Sequence, residues 1–388
     1  MRAKRTRLRE QRGSGARQIS EALSGCDILL PVDRRSSELA GALQRHGALT
    51  TVAPALTIIP HYDDRELLET TRSIIEDPPD IVIATTGIGF RGWMDVAETD
   101  GLGEDLLDAI SMAQIVVRGP KARGAVQQAG LDVDWVAESE TSRELVEFLI
   151  TEGVAGCNIV IQHHGDGDTR MEKMLTDAGA QIRGLTIYRN GPPADPDLVG
   201  RTTGMVAAGD FDAVLFTSAP GAKSWLRHAE ELGTLPQVVE AAADRTVFAA
   251  VGSVTADPLK LCGIEPITPE RFRLGALVRI VVSHLAGEET GTATQFGLMH
   301  VRTGGVLLDG AFYELGRTAT DLLRLLAEDA GVVLSRGDLA ERGGLTERAV
   351  EVTIARIREA LGIPEIIETV YKRGYRLAAE ERPLTAVG

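Results

Sequence analysis

The chain has 388 residues, enough for roughly two to three domains of about 150 residues each. It is 44% hydrophobic and 25% charged, a globular balance that excludes collagen-like, low-complexity and wholly disordered classes. Fifty-six acidic residues against 41 basic ones give a formal charge of -15, which argues against wrapping nucleic acid over the whole surface and leaves only a local site open.

No apolar run approaches the roughly 18 residues of a membrane span, and no signal-peptide core follows the basic start. The expectation is a cytoplasmic protein with no membrane partner. Cys26, Cys157 and Cys262 lie far apart without metal-ligand spacing and read as small apolar residues in a reducing compartment.

Residues 1–24 carry Arg2, Lys4, Arg5, Arg7, Arg9, Arg12 and Arg17 with few apolar residues and no period. They read as a disordered tail, with a nonspecific anion-binding arm as the alternative. From Asp27 onward, short apolar runs alternate with amphipathic stretches. The runs are Ile28 to Leu30, Ile81 to Ala84, Ile115 to Val117, Ile159 to Ile161, Ala213 to Phe216 and Val247 to Val251. Each is followed by a polar or glycine-containing turn, the texture of an α/β architecture with mostly parallel strands.

These runs repeat. DILLPVDRRSSELAGALQRHGA from Asp27 matches NIVIQHHGDGDTRMEKMLTDAGA from Asn158 in character. TTGIGFRGW at Thr85 matches TSAPGAKSW at Thr217, and VVRGPKARGAVQQAGL matches AAVGSVTADPLKLCGI through Gly119 and Gly252. Three matches in one order at a nearly constant offset indicate two duplicated α/β halves.

In both halves a buried strand runs into Thr-[Thr/Ser]-x-x-Gly and then a helix. Hydroxyls and a glycine at a helix start place donors and unpaired N–H groups at the positive end of the helix dipole, which suits a carboxylate or phosphate. The candidate ligand-binding positions are therefore Thr85, Thr86 and Gly87 in one half and Thr217, Ser218, Ala219 and Gly221 in the other, with Gly252 and Ser253 in the later glycine turn. Helix capping alone is the competing account of the hydroxyls. His163 and His164 with Asp166 and Asp168 lack a third distant ligand and read as a solvated loop, so no metal is expected.

The repeat stops near Leu285. AGEETGTATQFG is small, polar and glycine-rich, and 289–298 reads as a linker with few contacts on either side. Beyond it, β-prone pieces from Met299 to Leu308 precede a helical period at Leu315, Leu322, Leu323, Leu325 and Leu326. A second helix follows Ser335, a third runs from Thr346, and a hairpin closes at Tyr371 to Leu377. Residues 299–380 thus form a separate small domain.

The duplicated halves, TSAPGAKSW, the strand ending in LTIYRN, and AVGSVTADPLKLCGI together resemble uroporphyrinogen-III synthase from Asp27 to about Leu285. The resemblance implies two α/β domains, residues 25–56 plus 191–288 and residues 57–190, joined by two extended segments. It further implies linear hydroxymethylbilane as substrate in the cleft between the domains, with ring D inverted, the terminal hydroxyl lost as water, and no cofactor. By the match, Tyr188 aligns with the family tyrosine near the departing hydroxyl, Thr255 with the threonine of the last binding loop, and Ser218 with the hydroxyl in the preceding one. The chain departs from the family pattern in three places. Its first strand ends in Pro31-Val32-Asp33-Arg34, Ser253 replaces a proline after Gly252, and Ala122 is the counterpart of Thr255 in the first half.

The last segment, ELGRTATDLLRLLAEDAGVVLSRGDLAERGGLTERAVEVTIARIREALG followed by IETVYKRGYRL, resembles the winged-helix effector domain of OmpR/PhoB-type transcription factors. Val350, Ile354, Ile357 and Leu361 form an inward stripe, and Arg348, Thr353, Ala355 and Arg356 fall on the other face. With Arg358 on the same helix and Lys372 and Arg373 at the hairpin tip, these are the expected contacts to double-stranded DNA. Neighbouring acidic residues make one copy's attraction modest, which points to a homodimer on repeated half-sites. Two functions stand side by side: a synthase fused to a DNA-binding regulator, or a regulator whose synthase-like part senses a ligand without turnover.

Overall fold

The computed structural model describes residues 21–60, 65–163 and 167–379. They divide into two compact units, one of residues up to Ala55 together with Asp195 onward, the other of Leu56–Ala194.

The first unit opens with β1 (Asp27–Leu30), α1 (Ser36–Gln44) and β2 (Leu49–Val52). The second follows with β3 (Thr57–Pro60), α2 (Arg65–Glu76), β4 (Ile81–Ala84), α3 (Gly87–Thr99), α4 (Gly103–Ser111), β5 (Gln114–Val117), α5 (Pro120–Gln128), β6 (Trp135–Val136), α6 (Ser142–Glu152), β7 (Asn158–His163), α7 (Thr169–Asp177), β8 (Gln181–Thr186) and β9 (Tyr188–Gly191). The chain returns to the first unit through α8 (Pro196–Ala207), β10 (Ala213–Phe216), α9 (Ala219–Glu231), α10 (Leu235–Asp244), β11 (Val247–Ala250), α11 (Ser253–Leu261) and α12 (Leu274–Leu285). Its last part holds β12 (Thr292–Thr294), β13 (Gly297–Arg302), β14 (Gly305–Leu308), β15 (Ala311–Glu314), α13 (Arg317–Glu328), α14 (Arg336–Arg342), α15 (Glu347–Leu361) and the hairpin β16 (Ile367–Val370) and β17 (Gly374–Leu377).

Both α/β sheets are parallel throughout, in the order β11-β10-β1-β2 in the first unit and β6-β5-β4-β7-β8 in the second. Parallel strands need helices on both faces, and the unbroken apolar runs meet that need. Val82 and Ala84 enter one core with Phe90 and Trp93, while Ile81 and Ile83 enter the opposite one with Leu145 and Leu149. In the second unit β3 and β9 form a separate antiparallel pair, with Pro60 opposite Tyr188.

The C-terminal part has its own core, built on Leu322, Leu323 and Leu326 of α13 with Val350, Ile354 and Ile357 of α15. A four-stranded antiparallel sheet, β12-β13-β14-β15, precedes these helices. Two expectations need correction here. The stretch 289–298 carries β12 and the start of β13, because Thr292 and Thr294 favour extended backbone and Gly297, at φ +115°, supplies the tight turn between the strands. Of the expected tail, residues 1–20 lie outside the described residues, but 22–25 form a turn and Leu23 is fully buried.

The C-terminal domain is also docked, with many more contacts than a linker would allow. Arg302, 3% exposed, donates to the carbonyls of Ser24 and Ala22 (each 2.7 Å) and of Leu285 (3.1 Å). The carboxylate of Asp212 accepts from the backbone N–H of Asp27 (2.8 Å) and of Thr303 (3.1 Å). Gly304 donates to Gly25 (2.9 Å), and the Phe312 ring lies so close to Gly25 that a Cβ there would stand 2.2 Å from it. Arg317 pairs with Asp210.

Burial, with Asp212 only 7% exposed, raises its carboxyl above the usual carboxylate range, against the pull of the N–H donors. A raised folded pKa makes this group's contribution to stability full below its unfolded value and lost as pH rises through the folded one. The melting temperature of Asp212→Asn minus that of the parent chain is therefore expected to increase as pH rises above about 4. A calorimetric series in which the difference stays flat or falls contradicts this account.

Candidate ligand site and nucleic-acid interface

In the second unit the loops after β4, β5, β6 and β7 gather at the carboxyl end of the sheet, where ligands bind in open α/β folds. Thr86 caps α3 from extended backbone, its Oγ1 accepting from Gly89 N (3.1 Å). Thr85 is buried, and its hydroxyl is committed to Gln162 O (2.7 Å). Gly87 packs against the backbone of Lys121, leaving no room for a side chain. Gln162, fully buried, holds the loop by accepting from Thr86 N at 3.1 Å.

Tyr188 begins β9 and is half-buried against the core. Beside it lies Arg118, which leaves the end of β5 and is half-buried as well. Burial pulls the guanidinium down from its usual range, against the opposing effect of Tyr188, Asp168 and Glu140. Asp168 caps α7 by accepting from Met171 N (3.0 Å), whereas His163, expected in a solvated loop, is instead buried at the end of β7, where it places Nε2 2.6 Å from Glu172. His164 and Asp166 lie outside the described residues. Among the described residues no group of three or more His, Cys, Asp and Glu side chains is arranged to hold a metal ion.

In the first unit the duplicated pattern returns. Ser218 caps α9 from extended backbone, accepting from Gly221 N at 3.2 Å, as Thr86 does for Gly89. Ser218 is exposed and Thr217 and Ala219 are half-buried. Gly252 precedes α11 in extended backbone without a side-chain cap, as Gly119 precedes α5. The unpaired N–H groups at these helix starts form the positive end of the helix dipole. Ser253 is exposed, whereas Thr255 is 5% exposed. Phe272 lies over Gly252, where a Cβ would meet its ring at 2.7 Å.

The sequence-predicted positions therefore collect into two loop sets. Thr85, Thr86, Gly87 and Tyr188 lie in the second unit, and Thr217, Ser218, Ala219, Gly221, Gly252, Ser253 and Thr255 in the first. Sequence reasoning missed Arg118, Gln162 and Phe272. The arginine was visible immediately before the glycine of the repeated turn, but its burial beside Tyr188 depends on tertiary structure.

In the C-terminal domain, Thr346 caps α15 by accepting from Ala349 N (3.2 Å), and Gly362 ends it at φ +64°. Arg348 and Arg356 are exposed on this helix. Thr353 is 6% exposed and belongs to the buried arc of Val350, Ile354 and Ile357, which corrects its expected outward position. The apolar arc of a globular helix includes the i+3 position as well as i+4 and i+7. Arg358 is also not presented outward. It donates Nε to Ile367 O (3.0 Å) and Nη2 to Thr369 Oγ1 (2.9 Å), and its guanidinium lies 5.9 Å from the Tyr375 ring centre. At the hairpin tip Lys372 (φ +58°), Arg373 and the unanticipated Tyr371, 80% exposed, project from the domain. Arg376 is held by Glu368, and Arg336 holds Glu351 at 2.9 Å, which offsets one acidic group on the outer face of α15.

Arg358→Ala is accordingly expected to destabilise the C-terminal domain by about 1–3 kcal/mol, through lost charged hydrogen bonds and packing. Arg356→Ala should fall within about 0.5 kcal/mol. Denaturant unfolding of the two variants decides it, and equal effects reject the distinction.

Residues 37–279 match the family model of uroporphyrinogen-III synthase HemD. The chain belongs to this family. Residues 310–377 match the model of the C-terminal part of transcriptional regulatory proteins, so the HemD-like part is fused to an OmpR/PhoB-type winged-helix DNA-binding domain. The HemD-like part is 28% identical to the uncharacterized protein YjjA of Bacillus subtilis over 261 residues, 67% of this chain and 96% of that one. A mutant uroporphyrinogen III synthase of the extremely thermophilic bacterium Thermus thermophilus is similar at 25% identity and a TM-score of 0.56, over 66% of this chain and 97% of that one. The DNA-binding domain of Escherichia coli CadC is 28% identical, over 23% of this chain and 94% of that one, with a TM-score of 0.21. No helix among the described residues is long and apolar enough to cross a membrane.

Proposed function

We propose that the HemD-like part converts hydroxymethylbilane to uroporphyrinogen III and that the winged helix binds double-stranded DNA, making the chain a synthase joined to a transcriptional regulator. The observation that carries the enzymatic half is Tyr188, half-buried at the start of β9 beside the charged Arg118. The phenol donates its proton toward the departing terminal hydroxyl, which leaves as water, and Arg118 offers a bidentate partner for a substrate carboxylate. The N–H groups ahead of α5 bind a further carboxylate by direction rather than by net charge, as an acidic protein requires for an anionic substrate, and those ahead of α9 and α11 give the first unit the same chemistry. DNA contact falls to Arg348 and Arg356 on α15 and to Lys372 and Arg373 at the wing.

A second reading, a regulator that binds a tetrapyrrole without turning it over, is favoured by the buried Thr255 and by Ala122 where the other half has a threonine. Incubation with hydroxymethylbilane and separation of the product isomers tests the two. Excess type III product supports the synthase, and type I product at the spontaneous rate with a bound tetrapyrrole supports the sensor.

A further inference from the structure

The docking seam and the ligand loops of the first unit lie at opposite ends of the same strands. Asp212 immediately precedes β10, and its carboxylate holds the N–H of Asp27 at the start of β1. Its carbonyl accepts from Val247 at the start of β11 (2.9 Å). Each of these strands then runs to a candidate ligand loop. β1 ends next to Pro31, whose carbonyl lies 3.8 Å from a Cβ built on Gly221, β10 leads to Ser218, and β11 leads to Gly252. From Asp212 to Ser218 the extended chain spans about 20 Å.

On the other side, the turn between β13 and β14 supplies Thr303 N–H to Asp212, and Arg302 clamps the carbonyls of Ala22 and Ser24, which lead into β1. Releasing the C-terminal domain would take one of two N–H donors from the buried Asp212 carboxylate and strip the carbonyls of Ala22, Ser24 and Gly25 of the donors supplied by Arg302 and Gly304. Arg348, Arg356, Lys372 and Arg373 take no part in the seam and are exposed.

We propose that this seam couples the Ser218 and Gly252 loops to the docking of the DNA-binding domain, so that a ligand on those loops holds the domain docked and docking raises the loops' affinity for that ligand. The two-state element is the docked or released C-terminal domain. Docking orders β1, β10 and β11 at their origins, and a ligand orders them at their ends, so each lowers the ordering cost of the other. The identity of the ligand rests on the tetrapyrrole reading above, while the coupling rests on the seam.

Amide hydrogen exchange on the full, ligand-free chain tests the coupling directly. Arg302→Ala is expected to raise exchange at residues 218–221 and 252–255 at least threefold, and Arg376→Ala, in the distant hairpin, is not. If Arg302→Ala does not fold, Arg317→Ala at the exposed edge of the seam gives the same pattern at smaller amplitude. In a second arm, saturating uroporphyrin III, the oxidised octacarboxylate product, is expected to slow exchange at the seam amides of residues 303–304 at least threefold in the parent chain and not in Arg302→Ala. Increased exchange confined to the seam, or bound uroporphyrin III with no change in exchange at residues 303–304, overturns the proposal. No binding of uroporphyrin III rejects the tetrapyrrole reading, and the exchange pattern then decides the coupling alone.

Discussion

Tyr188→Phe is expected to slow formation of the type III isomer by about tenfold or more, with little change in KM. Phenylalanine keeps the ring that packs against the second-unit core and removes only the hydroxyl, so folding should be preserved. Arg118→Gln should behave differently. A group that binds a carboxylate in both ground and transition states raises KM when removed and leaves kcat nearly intact. Arg118→Lys should recover only part of the loss, since an ammonium cannot match the planar fork. Initial rates with the isomers resolved separate these outcomes, and an unchanged rate for Tyr188→Phe removes the phenol from the mechanism.

The α/β architecture was legible because parallel strands buried on both faces leave unbroken apolar runs, and because the duplication repeats its turns in order. The repeat even foretold equivalent caps, with Thr86 and Ser218 accepting from the glycine three residues on. The leucine period and the hairpin showed a separate small domain, and its resemblance to OmpR/PhoB-type effector domains implied the winged helix. What the sequence could not show was the use each polar residue is put to. Thr85 and Thr86 are adjacent threonines, yet one hydroxyl is buried on Gln162 O and the other caps a helix. Arg356 and Arg358 are two residues apart on α15, and the roughly 100° step per residue of a helix turns the second toward β16. The seam was hidden for a similar reason. Arg302 and Asp212 are far apart in sequence and satisfy backbone groups, which leaves no pattern in side-chain spacing.

The division between Arg356 and the wing leads to the expected behaviour on DNA. Arg356 is exposed on α15, with no ion pair found for it among the described residues, while Lys372 and Arg373 stand at the hairpin tip where a wing meets the backbone. If Arg356 reads a base edge, Arg356→Ala should cost about 1–3 kcal/mol on the preferred site and little on random DNA. Loss of both wing cations should instead weaken all sequences alike and reduce the salt dependence by roughly two charges, because phosphate contacts release counterions whatever the sequence. Arg358→Ala supplies the control, since its guanidinium is occupied by Ile367 and Thr369 and its loss should act through stability. Titrations of preferred and random duplexes at several salt concentrations separate the three. Equal losses on both duplexes for Arg356→Ala reject base readout, and no binding of the intact chain at low salt rejects DNA as a partner.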